Sequence, residues 1–329
     1  MLGEADVERV LLGQDEAVAD IVKRAYELHQ AGETVLPEAV FLRLPGDDGE
    51  RIVALPAYVG GELRVAGVKW IASFPKNRTL GLERASATVI LNSTRTGEPL
   101  AVLGGATISA RRTAASATLA AALLWDGGPP ETVGVVGCGR ISQEILRLLV
   151  RLWPSGSRVF AYDSVPTQLE KFMERCEQTS GEVQISPCSG VTQVLAAGVD
   201  VMVIATTATS AHIDCLGSVP PRLLLHISLR DLAPEVIMRC RNVVDDPDHV
   251  CRQHTSVHLA AQRLGHRAFI EATLGQLLRR DAIVRVGDVP VVFSPFGLGV
   301  LDVAVGSFVY ERANALGMGT VVEGDQACP

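Results

Sequence analysis

The chain has 329 residues, 47% of them hydrophobic and 20% charged, with a formal net charge of −7 at pH 7. This composition excludes a disordered chain and leaves room for two packed domains. The acidic balance, without any Lys/Arg-dense run, removes the electrostatic footprint that nucleic acid or an anionic membrane surface would need.

The first residues, Met1-Leu2-Gly3-Glu4-Ala5-Asp6, are acidic where a secretory signal is basic, and no apolar run is long enough to span a bilayer. A cytoplasmic location is expected. Segments 4–12 and 16–30 carry apolar residues at helical spacing. Strand-like runs follow over 51–57, 65–71, 87–91 and 100–103, separated by turn signals at Gly60-Gly61 and Thr96-Gly97-Glu98-Pro99. Together they predict a mixed α/β sheet domain. An alanine- and leucine-rich helix over 108–125 is then stopped by Asp126-Gly127-Gly128-Pro129-Pro130, which marks a domain boundary.

Beyond that boundary, short apolar strands over 133–136, 159–162, 201–205, 223–227 and 243–244 alternate with helical segments. This is the pattern of βαβ units and a mainly parallel sheet buried on both faces. A last helix over 297–316 returns to the first domain. The expected division is therefore a discontinuous substrate-binding and dimerisation domain, 1–125 with 298–329, and a dinucleotide-binding domain, 126–297. The seven cysteines (138, 176, 188, 215, 240, 251 and 328) include no C-x-x-C pair, so neither a disulfide framework nor a zinc knuckle is indicated.

The dinucleotide signal is Thr132-Val-Gly-Val-Val-Gly137-Cys138-Gly139-Arg140-Ile141-Ser142, an apolar strand, a glycine turn and a helix in the required order. Gly137 permits the tight turn, and Gly139 the approach of a pyrophosphate to the helix N-terminus. Asp163 ends the next strand about two dozen residues on, where an acid accepts hydrogen bonds from the adenosine ribose and repels a 2′-phosphate. This favours NAD over NADP in a Rossmann-type domain. Thr206, after another strand, lies where such folds bring a loop alongside the cofactor.

Four cations fall within the motifs of the first domain: Arg43, Lys69, Arg84 and Arg112. Each alone reads as a solvated surface charge, whereas a group of them facing the cofactor would bind carboxylates. Lys69 interrupts an apolar strand. In the second domain, Asp231 stands just past an apolar strand, at the edge where ligand clefts open in such sheets. It could act as a general base, orient a water, or cap a helix beginning at Leu232. Cys251, His254 and His258 lie at spacings expected of one polar helix face, so no metal is expected.

The ordered series Lys69-x-x-x-x-Phe74-Pro75-x-Asn77, Thr96-Gly97-x-Pro99, Arg112-Thr113-Ala114-Ala115 and Gly137-x-Gly139-x-x-Ser142 resembles the ornithine cyclodeaminase/mu-crystallin family across nearly the whole chain. That resemblance implies a two-domain subunit, a homodimer formed through the first domain, and bound NAD. It also implies that Lys69 and Arg112 bind the substrate carboxylate, with Lys69 and Asp231 the catalytic residues. Arg112, Thr113, Gly137, Cys138, Gly139, Arg140, Ile141, Asp163, Thr206, Ser228 and Leu229 are the implied cofactor contacts.

Ser228-Leu-Arg-Asp-Leu-Ala-Pro-Glu235 departs from plain ornithine cyclodeaminases, which carry Pro-Gly-Lys after the aspartate. With Glu83-Arg-Ala-Ser86 and the segment Val243–Cys251, it resembles the branch that makes 2,3-diaminopropionate for siderophores and peptide antibiotics. The implied reaction is oxidative hydrolysis of N-(2-amino-2-carboxyethyl)-L-glutamate, and the implied pathway partner a pyridoxal-phosphate-dependent synthase. Arg43 and Arg84, added to Lys69 and Arg112, match a tricarboxylate and would repel ornithine's two ammonium groups. Ornithine or lysine cyclodeamination, simple amino-acid dehydrogenation, and NAD(P)H binding without turnover are the alternatives.

Overall fold

The computed structural model describes residues 1–45, 50–154, 157–179 and 183–322, so Cys328 and the end of the expected 298–329 segment lie outside the described residues. The chain forms two compact units, Met1–Arg112 with Leu298–Pro329, and Thr113–Gly297. The division falls inside the helix Gly105–Leu124, ahead of the glycine-proline run. The last turn of that helix is fastened within the second unit, where Val286 N–H donates to Leu124 O at 2.9 Å.

The first unit is an antiparallel sheet of six strands. Its order is Thr34–Val35, Arg51–Val59, Val65–Ser73, Ala85–Asn92 and Pro99–Gly104, with Val40–Arg43 also paired to Arg51–Val59. The two short strands at 34–35 and 40–43 are not marked by any alternation in the sequence. The helices Asp15–Gln30 and Gly299–Ala315 pack together, and the latter lies on the sheet. Residues 299–307 are buried on every side, which their largely apolar sequence anticipates, and the polar last turn is partly exposed.

The second unit is the expected Rossmann-type parallel sheet. Across it run Ile185–Pro187, Arg158–Tyr162, Thr132–Val136, Val201–Ile204, Leu223–His226, Val291–Ser294, Arg241–Val244 and Ile270–Thr273. Every pairing is parallel. The strand Val291–Ser294, not among the strands expected from sequence, lies between Leu223–His226 and Arg241–Val244. After Thr132–Val136 the chain builds outward, then returns to Val201–Ile204 on the other side. This reversal creates the crevice at the C-terminal strand ends where such sheets bind ligands. No described helix is long and apolar enough to cross a membrane.

Candidate active site

In the first unit, alternation along Val65–Ser73 buries Lys69 and Ser73 on one face and leaves Trp70 exposed on the other. Asp302 comes from the helix Gly299–Ala315 and has no exposed surface. Its Oδ2 lies 2.6 Å from Lys69 Nζ, and its Oδ1 accepts from Arg112 Nε at 3.0 Å. Burial, reinforced by the Arg112 charge, pushes the Lys69 ammonium down to about 8 against the opposing pull of Asp302.

Of the other two expected cations, Arg84 donates from Nη1 to Ser73 Oγ at 2.7 Å. Arg43 is exposed, 5.8 Å from the Phe41 ring, and opposes Arg51, which in turn opposes Ser73. Directly opposed residues share a sheet face, so Arg43, Arg51 and Ser73 line up on the Lys69 face, about 13 Å along the strand from Lys69. Arg51 is a half-buried cation that sequence reading passed over; burial, then the charge of Arg43, holds it below the usual guanidinium range.

In the second unit, Gly137 has φ +86°, and an added Cβ would meet Ala205 O at 2.5 Å, so only glycine fits this turn. A Cβ on Gly139 would meet nothing within 4 Å. The helix Arg140–Leu152, which starts with Arg140 and Ile141, has no side-chain cap at its N-terminus. An open approach onto uncapped N–H groups fits a dinucleotide pyrophosphate. The Asp163 carboxylate accepts from Cys138 N–H at 2.8 Å and Val165 N–H at 2.9 Å, which fixes it beside the glycine turn. Burial, then Asp163, pushes the Cys138 thiol above the ordinary thiol range.

Thr113, the first residue of this unit, is buried. Leu229 adopts φ +70°, a strained conformation for a leucine, and its carbonyl accepts from Ser256 N–H at 2.7 Å. Asp231 is fully buried. Its carboxylate accepts from Thr206 Oγ1 and Ser228 Oγ, and His212 Nε2 lies 3.1 Å from its Oδ1. Buried His226 has Nε2 3.5 Å from Asp231 Oδ2, with its Nδ1 3.1 Å from Ser294 Oγ. Burial opposes the charged form of Asp231, but His226, Ser228 and Thr206 outweigh it and hold the carboxyl well below the usual carboxylate range.

The capping reading of Asp231 does not hold, because the helix runs over Pro234–Met238 and its N-cap, Ala233, receives no side-chain cap. Among the described residues, no group of three or more His, Cys, Asp or Glu is arranged to hold a metal ion. Asp302, Arg51, His212 and His226 were absent from the sequence-derived site. For Asp302 a signal exists: an acid in the first turn of a helix whose run 299–306 is otherwise apolar and buried must find a cation.

These features define a dinucleotide-dependent oxidoreductase. The profile of the ornithine cyclodeaminase/mu-crystallin family matches residues 1–225, and the chain belongs to that family of NAD-dependent dehydrogenases, reductases and cyclodeaminases. Among relatives, N-((2S)-2-amino-2-carboxyethyl)-L-glutamate dehydrogenase of Staphylococcus aureus is 27% identical over 98% of this chain and 97% of its own length. An archaeal alanine dehydrogenase dimer with bound NAD superposes with TM-score 0.85 at 26% identity, covering 98% of each chain. The Δ1-pyrroline-2-carboxylate reductase of Thermococcus litoralis, solved with NADH and L-proline, shares the fold with TM-score 0.88 at 22% identity, covering 98% of this chain and 99% of its own. The protein is an NAD-dependent oxidoreductase acting on amino-acid derivatives.

Proposed function

We propose that the enzyme converts N-(2-amino-2-carboxyethyl)-L-glutamate and water to L-2,3-diaminopropionate and 2-oxoglutarate. The observation that carries this reading is the row of cations, with Arg84 bonded to Ser73, Arg51 opposite Ser73, Arg43 opposite Arg51, and Lys69 farther along the same face as Ser73. Such a row suits a substrate with several carboxylates and repels a diamine. The relative from Staphylococcus aureus carries the matching name.

In this reading Lys69 and Arg112 hold one carboxylate, and the arginine group at Ser73 receives another. NAD, when bound, supplies the hydride acceptor that no side chain provides. Asp231 orients the water that adds to the substrate iminium carbon, and collapse of the carbinolamine separates the two products. Gly137 to Ile141, Thr113, Thr206, Ser228 and Leu229 hold the cofactor, with Asp163 on its adenosine ribose.

A second reading, oxidation of a small monocarboxylic amino acid such as alanine, is favoured by the Lys69–Asp302–Arg112 group, which alone suffices for one carboxylate. The fold of the NAD-bound alanine dehydrogenase is consistent with it. In either reading the enzyme is a homodimer covering the outer face of the six-stranded sheet, where Val40, Leu42 and Trp70 are 63%, 48% and 45% exposed.

Absorbance at the NADH band, followed with NAD and each of the tricarboxylate, alanine and ornithine, tests the proposal. NADH and 2-oxoglutarate formed in equal amounts from the tricarboxylate are expected. NADH from alanine alone would establish the second reading, and ammonia and proline from ornithine without net NADH would make the enzyme a cyclodeaminase.

A further inference from the structure

Oxidation of a protonated secondary amine by NAD and water gives a ketone, a protonated primary amine, NADH and one proton. The C–H bond breaks with its electron pair passing to NAD, water supplies the ketone oxygen, and one of the water's protons remains with the leaving amine. Alanine oxidation releases one net proton in the same way. Asp231 is fully buried, so a proton that reaches it needs a way out.

Its surroundings offer one. The groups on the carboxyl are Thr206 Oγ1 and Ser228 Oγ, which do not titrate in this range, and the two imidazoles of His226 and His212. His226 is fully buried and turned to Ser294, itself buried. The His212 side chain is 38% exposed, and its Nε2 lies 3.1 Å from Asp231 Oδ1. The neighbouring Arg230 donates from Nη2 to Gln253 O at 2.8 Å.

The backbone fixes the position of His212. The amides of His212 and Ile213 both donate to Asp231 O at 2.9 Å, Ala233 N–H donates to Ile213 O at 2.8 Å, and Ile213 bridges Leu232 in parallel. The segment carrying His212 is thus bonded as a short parallel pair to the segment carrying Asp231, which keeps the imidazole on the carboxylate.

We infer that His212 is the proton relay of this enzyme, carrying the reaction's net proton between the buried Asp231 carboxyl and solvent. A proton arriving on Asp231 passes to Nε2 as that O–H bond breaks, the ring gives up its Nδ1 proton to water, and water-assisted transfer of the Nε2 proton to Nδ1 restores the starting tautomer before the next turnover. Asp231, stabilised as the anion by its donors, stores no proton between turnovers and instead holds the imidazole in line. This rests on the proposed role of Asp231 at the reacting centre, for whichever amine the enzyme oxidises.

The test compares wild type with His212→Gln, which keeps a hydrogen-bonding side chain at this partly exposed position but cannot titrate. With an amine that wild type turns over, kcat is expected to fall about 10- to 100-fold, with KM and the NADH Kd within twofold. Added imidazole is expected to restore much of the loss. An unchanged kcat, or a loss that imidazole leaves untouched, overturns the relay. An arm without turnover compares the His212 ring nitrogen signals of wild type and Asp231→Asn by NMR, where the altered partner of Nε2 should move the Nε2 signal. An identical Nε2 signal in both overturns the relay. If wild type oxidises no amine tested, the functional reading fails while the ring signals still decide the relay.

Discussion

Asp302 Oδ2 lies 2.6 Å from Lys69 Nζ with both side chains buried, and the other oxygen of the same carboxylate takes Arg112. One acid thus serves two buried cations, leaving one net positive charge when Lys69 is protonated. A substrate carboxylate would complete the balance.

Replacing Asp302 with asparagine strands two buried cations. The cost is expected near that of breaking a buried ion pair, about 3–5 kcal/mol, read as a lower denaturation midpoint. Lys69→Met added to Asp302→Asn should recover part of that loss, because it removes one of the stranded charges. A double variant less stable than Asp302→Asn would contradict the shared counter-ion.

Lys69 gives a pH signature. Its folded-state value of about 8 lies below the ordinary lysine value of 10.5, so the folded protein loses this proton before the unfolded chain does. Below pH 8 the burial cost of the charged form is fully present. Between about 8 and 10.5 the unfolded state binds more protons, so the contribution of Lys69 to stability rises with pH. Carboxylate binding runs the other way: KM should climb as pH passes 8 in wild type, and the rise should move out of range in Lys69→Arg. A KM flat from pH 7 to 9.5 in wild type would count against Lys69 as a carboxylate ligand.

The two turn glycines should separate folding from cofactor binding. Gly137→Ala places a methyl 2.5 Å from Ala205 O at φ +86°, so its thermal midpoint should drop. Gly139→Ala meets no protein atom and should melt like wild type, yet bind NADH at least tenfold more weakly, since the methyl occupies the space of the pyrophosphate. Fluorescence titration with NADH beside calorimetry reads both. Unaltered NADH affinity in Gly139→Ala would exclude this turn as the pyrophosphate site.

Asp163→Ser removes the acid beside the glycine turn. Loss of a charge-assisted hydrogen bond to the ribose, about 1.5–3 kcal/mol, should weaken NADH roughly 10- to 100-fold, and the relative affinity for NADPH should rise. Parallel Kd measurements for the two nucleotides check this, and an unchanged ratio would remove Asp163 from cofactor selection.

Local patterns carried much of the architecture. Gly137 is legible because a positive φ and a close backbone approach leave glycine as a residue type. Lys69 and Asp231 stood out because a charge within an apolar strand, or just past one, is costly without a purpose. The parallel sheet followed from strand–helix alternation, although Ile185–Pro187, Ile270–Thr273 and Val291–Ser294 did not, since runs of three or four residues look the same in a strand as in a loop or a turn of helix.

Spacing along the chain cannot tell which distant side chains meet. Arg112 and Asp302 are 190 positions apart, on the two helices Gly105–Leu124 and Gly299–Ala315, and they meet only in the folded chain. The same holds for Arg51, ranked with the Ser73 group by strand register, and for His212, aligned on Asp231 by backbone pairing. The residue types that the backbone requires, and the charges that interrupt apolar runs, were written in the sequence because they answer to local sterics and desolvation. The counter-ion of Lys69, the grouping of the cations and the outlet for Asp231 came from long-range packing, because burial gives a charge its partner only once the chain has closed around it.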